Sequence, residues 1–293
     1  MTSMHKVNRR QFLATSAALG ATSSIATLPS MAAPARTLDL GNPSVVMESL
    51  VKLRGSTDGK VGFWWLKGPR YGVVGSEITS LFDNLVASFH RFVRQEDGSY
   101  LVTVVELSYY VDANGDLLSR WKNPYTGQMN DVEYVVFGPV TARLTPQGIT
   151  PPQKTPGAEL RVKPTIDVVA SHAGEVWIAE DVSATIVPKV QGRTLYQGND
   201  LATYCGAHAD LADPAKAGVD ASIHYQSVTD WRTWMKMGDI KGHLMARSVG
   251  RKVWSVDDLP ADFMRVAKKM HPKLIGDPIA ALEGDQPDSS FQR

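Results

Sequence analysis

Apolar and polar positions alternate with period two along most of the chain, and turn signals break the alternation at short intervals. Strand-like stretches run over Val61–Lys67, Tyr71–Ile78, Leu85–Arg94, Tyr100–Val111, Leu117–Lys122, Val132–Phe137 and Val140–Leu144. Between them stand Lys67-Gly68-Pro69, Asp97-Gly98, Asp112-Ala113-Asn114-Gly115 and Pro124-Tyr125-Thr126-Gly127, whose residues favour tight reversals. Short strands joined this way predict an antiparallel meander. Tyr100–Val111 departs from alternation, with Val102 and Val104 on one face and Leu101, Val105 and Leu107 on the other. A strand dry on both sides suits a sheet that is filled inside and covered outside. Further strands are expected at Thr165–Ala170, Val176–Val187, Ile223–Ser227 and Gly242–Ser248, after a Pro-, Gly- and Thr-rich stretch at 146–164 read as a connection or lid. Residues 198–219 are rich in small side chains and carry no readable period.

Helical spacing occurs at two places. Asn42 can cap a helix with Pro43 in its first position, and Val46, Leu50 and Leu53 then share one face. Asp257-Asp258-Leu259-Pro260 opens a second helix over Pro260–Met270, with Phe263, Val266, Ala267 and Met270 on one stripe. The predicted fold is mainly β: an antiparallel meander closing into a lipocalin- or calycin-like barrel, one domain over 36–276, flanked by helices. Residues 277–293 read as a tail.

The first 35 residues read as an address. Asn8-Arg9-Arg10-Gln11-Phe12-Leu13 precedes a weakly apolar Ala/Ser/Thr stretch and small residues at Ala32, Ala33 and Ala35. Paired arginines in that setting point to a twin-arginine signal cleaved near Ala32 or Ala35, hence a periplasmic protein and the twin-arginine export machinery as a partner. Loss of Lys6, Arg9 and Arg10 takes the formal charge from +1 to −2. Such a balance does not suit a phosphate-neutralising nucleic-acid binder. No apolar run is long enough to span a membrane as a mature helix. Edge strands leave a homodimer open.

Several phrases carry a resemblance. They include Gly62-Phe63-Trp64-Trp65-Leu66-Lys67-Gly68 with Arg70-Tyr71-Gly72, Trp121-Lys122-Asn123-Pro124-Tyr125-Thr126-Gly127, and Trp231-Arg232-Thr233-Trp234-Met235-Lys236-Met237-Gly238. Together they make the chain similar to the bacterial and fungal family catalogued as domain of unknown function 1838. The resemblance implies a single exported domain and transfers no catalytic residues.

Chemistry is therefore sought in the residues themselves. No G-x-G-x-x-G, Walker lysine or G-x-S-x-G is present, and the histidines show no ligand spacing, so the expectation is no cofactor and no metal. The single cysteine, Cys205, reads as a buried inert thiol. Glu106 and Tyr110 share a face with Val102 and Val104. If that face is inward, desolvation raises the Glu106 pKa and makes it a general acid or base near neutrality. The alternative is an ion pair with Arg91 or Arg120. His90 is a second proton carrier or a hydrogen-bonded core histidine. Trp64, Trp65, Tyr71, Trp121, Tyr125, Trp231 and Trp234 are candidate walls of a pocket for a small hydrophobic molecule, or simply core. Arg70 can hold a planar anion or pair at the surface. Asn123 is a candidate contact that also suits a turn. These groups point to a cofactor-independent isomerase, lyase or hydro-lyase acting on a small apolar, aromatic or terpenoid molecule. A carrier of such a molecule is the alternative, and a metal enzyme with scattered ligands is a third reading.

Overall fold

The computed structural model describes residues 37–150, 158–188 and 196–284. The expected export signal and the last nine residues lie outside them. Helix α1 (Pro43–Arg54) opens as its sequence predicts, with the Asn42 side chain accepting from Ser44 N and Pro43 in the first turn. Then follow β1 (Gly62–Val74), β2 (Glu77–Arg94) and β3 (Tyr100–Val111), the short hairpin β4 (Arg120–Lys122) and β5 (Met129–Asp131), then β6 (Val135–Thr145) and β7 (Gly148–Thr150). The second half runs β8 (Ala158–His172), β9 (Glu175–Pro188), β10 (Tyr196–Ala207), α2 (His208–Ala212), β11 (Ala221–Thr229) and β12 (His243–Val253). Helices α3 (Ala261–Met270), α4 (Pro272–Gly276) and α5 (Pro278–Glu283) complete the described chain.

Ten of these strands form one antiparallel sheet in the order β7-β6-β3-β2-β1-β12-β11-β10-β9-β8. The order is sequential around a ring once β12 pairs with β1, so the meander closes by joining its first and last long strands. Two glycines permit that junction. A Cβ at Gly68 would strike the Arg247 carbonyl, and one at Gly250 the Trp65 carbonyl. At the other end of the sheet β7 approaches β8, where Gly148 lies against Pro164. The sheet is nearly closed into a barrel, as the strand pattern predicts.

Alternation sorts the side chains into two layers. Phe63, Ala87, Phe89, Val105, Leu107 and Tyr109 point outward, and α3, α4 and α5 cover them through Phe263, Val266, Ile275 and Leu282. The segment from Asp277, expected to be a tail, thus begins with a packed helix, because Ala281 and Leu282 bury against the sheet. The opposite face looks into the barrel. There α1 closes one end, with Val46, Leu50 and Leu53 against Trp64, Leu66, Ile178 and Ile223, and with Met47 and Val51 against Phe92 and Val102. The hairpin β4–β5 and the turn Thr233–Met235 close the other through Trp121, Val132, Trp234 and Met235. Covering both faces of β3 explains why apolar residues stand on both of them.

Several segments differ from expectation. Lys67-Gly68-Pro69, read as a turn, lies inside β1, and the expected strand Tyr71–Ile78 spans the reversal between β1 and β2. Val132–Phe137 and Val140–Leu144, expected as two strands, meet in β6. The stretch read as a connection or lid contains β7 and the first half of β8, whose Pro164 sits within a strand near the seam of the barrel. The region without a readable period is β10 and α2. It lacks a pattern because its inward positions mix Ala202 and Tyr204 with Asp200.

Candidate functional site

Between the two apolar ends, the inward face turns polar. Register places Ser88 opposite Glu106, Asn84 opposite Tyr110 and Ser227 opposite Ala246 and Asp200. Arg70 enters from β1 at a bulge in its pairing with β2. Its Nη1 donates to Ser227 Oγ (3.3 Å), and its Nη2 donates to the Asn84 amide oxygen (3.0 Å). In that orientation the Asn84 nitrogen serves Ser108 Oγ and the Tyr109 carbonyl. Beside Ser227, on the neighbouring strands β11 and β10, Tyr225 donates its hydroxyl to Asp200 Oδ1 (2.5 Å). Arg232, in the segment after β11, adds a second positive charge near both carboxyls.

Glu106 is the central group. Burial, then the charge of Asp200, raises its pKa to about 7, while Arg70 and Arg232 pull the other way. Asp200 is raised as well, chiefly by burial and against the pull of Tyr225 and the same arginines. Glu106, Asp200 and Tyr225 face inward and are only half-buried, so side chains do not pack fully around them. Val104, Ile166 and Val182 share that face and are half-buried too. A β-bulge on β6 around Gly138 lies next to Glu106; a Cβ at Gly138 would strike the Val104 carbonyl. Bulges re-aim strands beside functional groups. Glu106 has neither of the surface partners considered from sequence, since Arg91 pairs with Glu283 and Arg120 with Asp131.

The remaining sequence candidates fall into other layers. His90 lies towards α1 and shares a hydrogen bond through Nε2 with Ser88 Oγ, the residue that faces Glu106. Burial, with Arg54 and Lys252 nearby, holds its pKa well below the usual imidazole range. It is therefore neutral and one hydroxyl removed from Glu106. Trp64 points inward, donating to the Arg54 carbonyl (2.8 Å) and packing on Tyr204. Trp65, its neighbour, takes the outer face against the C-terminal helices, as strand alternation requires. Tyr71 follows Arg70 on the opposite side. Tyr110 lies inward with Phe82, Trp121 and Trp234, the rings 4.8–5.9 Å apart, forming the floor of the lumen. Tyr125 packs on Trp231, whose indole nitrogen donates to the Ile240 carbonyl (3.1 Å). Asn123 is fully committed: it accepts from Tyr125 N and Thr126 N and donates to the Met235 carbonyl. It clamps the hairpin to the floor. Cys205 is buried with a raised pKa, mainly through desolvation. Asp112 accepts from Asn114 N and Asp116 N and closes a hairpin. Among the described residues, no three His, Cys, Asp or Glu side chains gather where a metal could sit.

Sequence reasoning missed Asp200, Tyr225 and Arg232. The alternation Asp200-x-Ala202-x-Tyr204 was the available signal, but only closure of the ring brings that face opposite Glu106.

A nearly closed antiparallel barrel with plugged ends and a charged lumen is the class these features define. A family model described as protein of unknown function, DUF1838, matches residues 59–292, and the chain belongs to that family. No curated protein and no solved structure matches the chain. The match begins after α1.

Proposed function

We propose that the lumen is the active site of an exported, cofactor-independent enzyme that moves a proton on a small molecule. Glu106 is its acid–base residue, and isomerase, lyase or hydro-lyase chemistry is the reading. One observation carries it: an inward-facing, half-buried carboxyl among apolar and polar neighbours, whose pKa burial raises to about 7. A group titrating at working pH gives and takes protons with the least mismatch, and such shifts concentrate at functional sites. Asn84, Ser88 and Tyr225 supply fixed dipoles around it, while Val104, Ile166 and Val182 suit an apolar body. The ligand is small and largely apolar with a polar end, because the ends of the barrel are filled by α1 and the aromatic floor. Among the described residues no helix is long and apolar enough to cross a membrane.

The twin-arginine motif supports export as part of the same reading. A carrier without chemistry is the second reading, supported by the incomplete packing of the lumen alone. To separate the two, native mass spectrometry of protein purified from its own host identifies the bound molecule, which is then incubated with fresh protein. Conversion that is lost in Glu106→Gln while the molecule still binds supports the enzyme. Binding without conversion by the unaltered protein leaves the carrier.

A further inference from the structure

Arg70 is a buried cation with neutral partners. It is 6% exposed, and its hydrogen bonds go to Ser227 and Asn84, while Nε is buried without a partner. Among the described residues no carboxylate forms an ion pair with it. Burying a guanidinium is costly, and hydrogen bonds to an alcohol and an amide offset only part of the cost. Glu106 and Asp200 act on it through space without an ion pair; burial pushes both towards their neutral forms, and Arg70 and Arg232 pull them back. The unpartnered Nε leaves one edge of a planar guanidinium free, and such an edge is shaped for an anion with two oxygens.

We propose that the lumen takes a small carboxylate, its two oxygens seated at Arg70 and its apolar body against Val104, Ile166 and Val182, with Glu106 taking up a proton as the anion enters. The groups that face Glu106 are Ser88 from β2, Arg70 from β1, Asp200 and Tyr204 from β10, Tyr225 from β11, and Arg232 beyond it. An incoming negative charge close to Glu106 favours its protonated form. This rests on the reading of the lumen as a ligand site and sharpens it, since Glu106 then meets the bound anion in its protonated form.

The test uses the full protein with 1-naphthoate and its neutral counterpart 1-naphthamide, in calorimetric titrations just above neutral pH in phosphate and in Tris. The acid binds at least about tenfold more tightly than the amide, the scale of a charge-assisted pair against a neutral one. Heats in the two buffers differ in the sense of proton uptake, and Glu106→Gln abolishes that difference. Arg70→Gln weakens naphthoate by about tenfold or more, and Arg70→Lys recovers part of the loss. Equal binding of acid and amide by the unaltered protein overturns the proposal, whether or not the Arg70 variants fold. Binding of the amide alone overturns the carboxylate and leaves the lumen site standing. Binding of neither overturns both. Identical heats in the two buffers overturn the proton uptake.

Discussion

At the residue scale, the chemistry turns on how far a single environment moves a carboxyl. Folding raises Glu106 from 4.5 to about 7, so the native state holds a proton there that the unfolded chain has released. Stability from this group is greatest in acid and declines as pH rises from the lower value to the higher. The shift corresponds to on the order of 3 kcal/mol. In Glu106→Gln the group no longer titrates. Urea denaturation across that range should therefore show the variant gaining on the unaltered protein up to about neutral pH and running parallel above it. A gap that stays constant with pH contradicts the shift. His90 makes the opposite case. Its neutral ring is held by burial and by two nearby cations, so a direct NMR titration should show no protonation of His90 between pH values of about 5 and 8, the range of an ordinary imidazole.

At the element scale, α1 matters most. Its apolar face is buried among strands from opposite sides of the ring, and Leu50 and Leu53 are fully enclosed. Leu50→Ala should cost about 2–5 kcal/mol, read as a lower denaturation midpoint at unchanged slope. The C-terminal end of the helix is tied down by charge. Lys252 Nζ donates to the Lys52 and Gly55 carbonyls (2.6 and 3.0 Å), and Arg54 pairs with Glu180 (2.7 Å). Glu180→Ala strands a buried guanidinium and should cost about 3–5 kcal/mol, whereas Arg91→Ala, at an exposed pair, should cost about 1 kcal/mol or less. Much of this level was legible in the chain. Asn42-Pro43 and the turns at Asp97-Gly98 and Asp112–Gly115 act through local backbone preferences, which neighbouring sequence alone decides. Glu106 was legible because a charge among apolar alternating positions is conspicuous, and Arg70 because a guanidinium favours planar anions. Asp200, Tyr225 and Arg232 were not, because their meaning depends on Glu106, four or five strands away around a nearly closed ring. Trp64 and Trp65 look equivalent as letters, yet alternation separates them by a whole sheet.

At the scale of the whole molecule, the proposed export depends on closure. A twin-arginine cargo travels folded, so replacing Arg9 and Arg10 by lysine should hold the protein in the cytoplasm with its barrel complete. Cell fractionation and limited proteolysis check both halves of that expectation; equal periplasmic yield from the double variant contradicts the export reading. The strand arrangement adds a consequence for biosynthesis. Because β1 finds one of its two neighbours only in β12, a ribosome must finish nearly the entire message before the first long strand loses its bare edge. Until then that edge is free to recruit any extended peptide, including one from a sister nascent chain. Cells making this protein fast have reason to shield it with a chaperone during translation and, under the proposed export, to withhold it from the translocase until the last strand has come home.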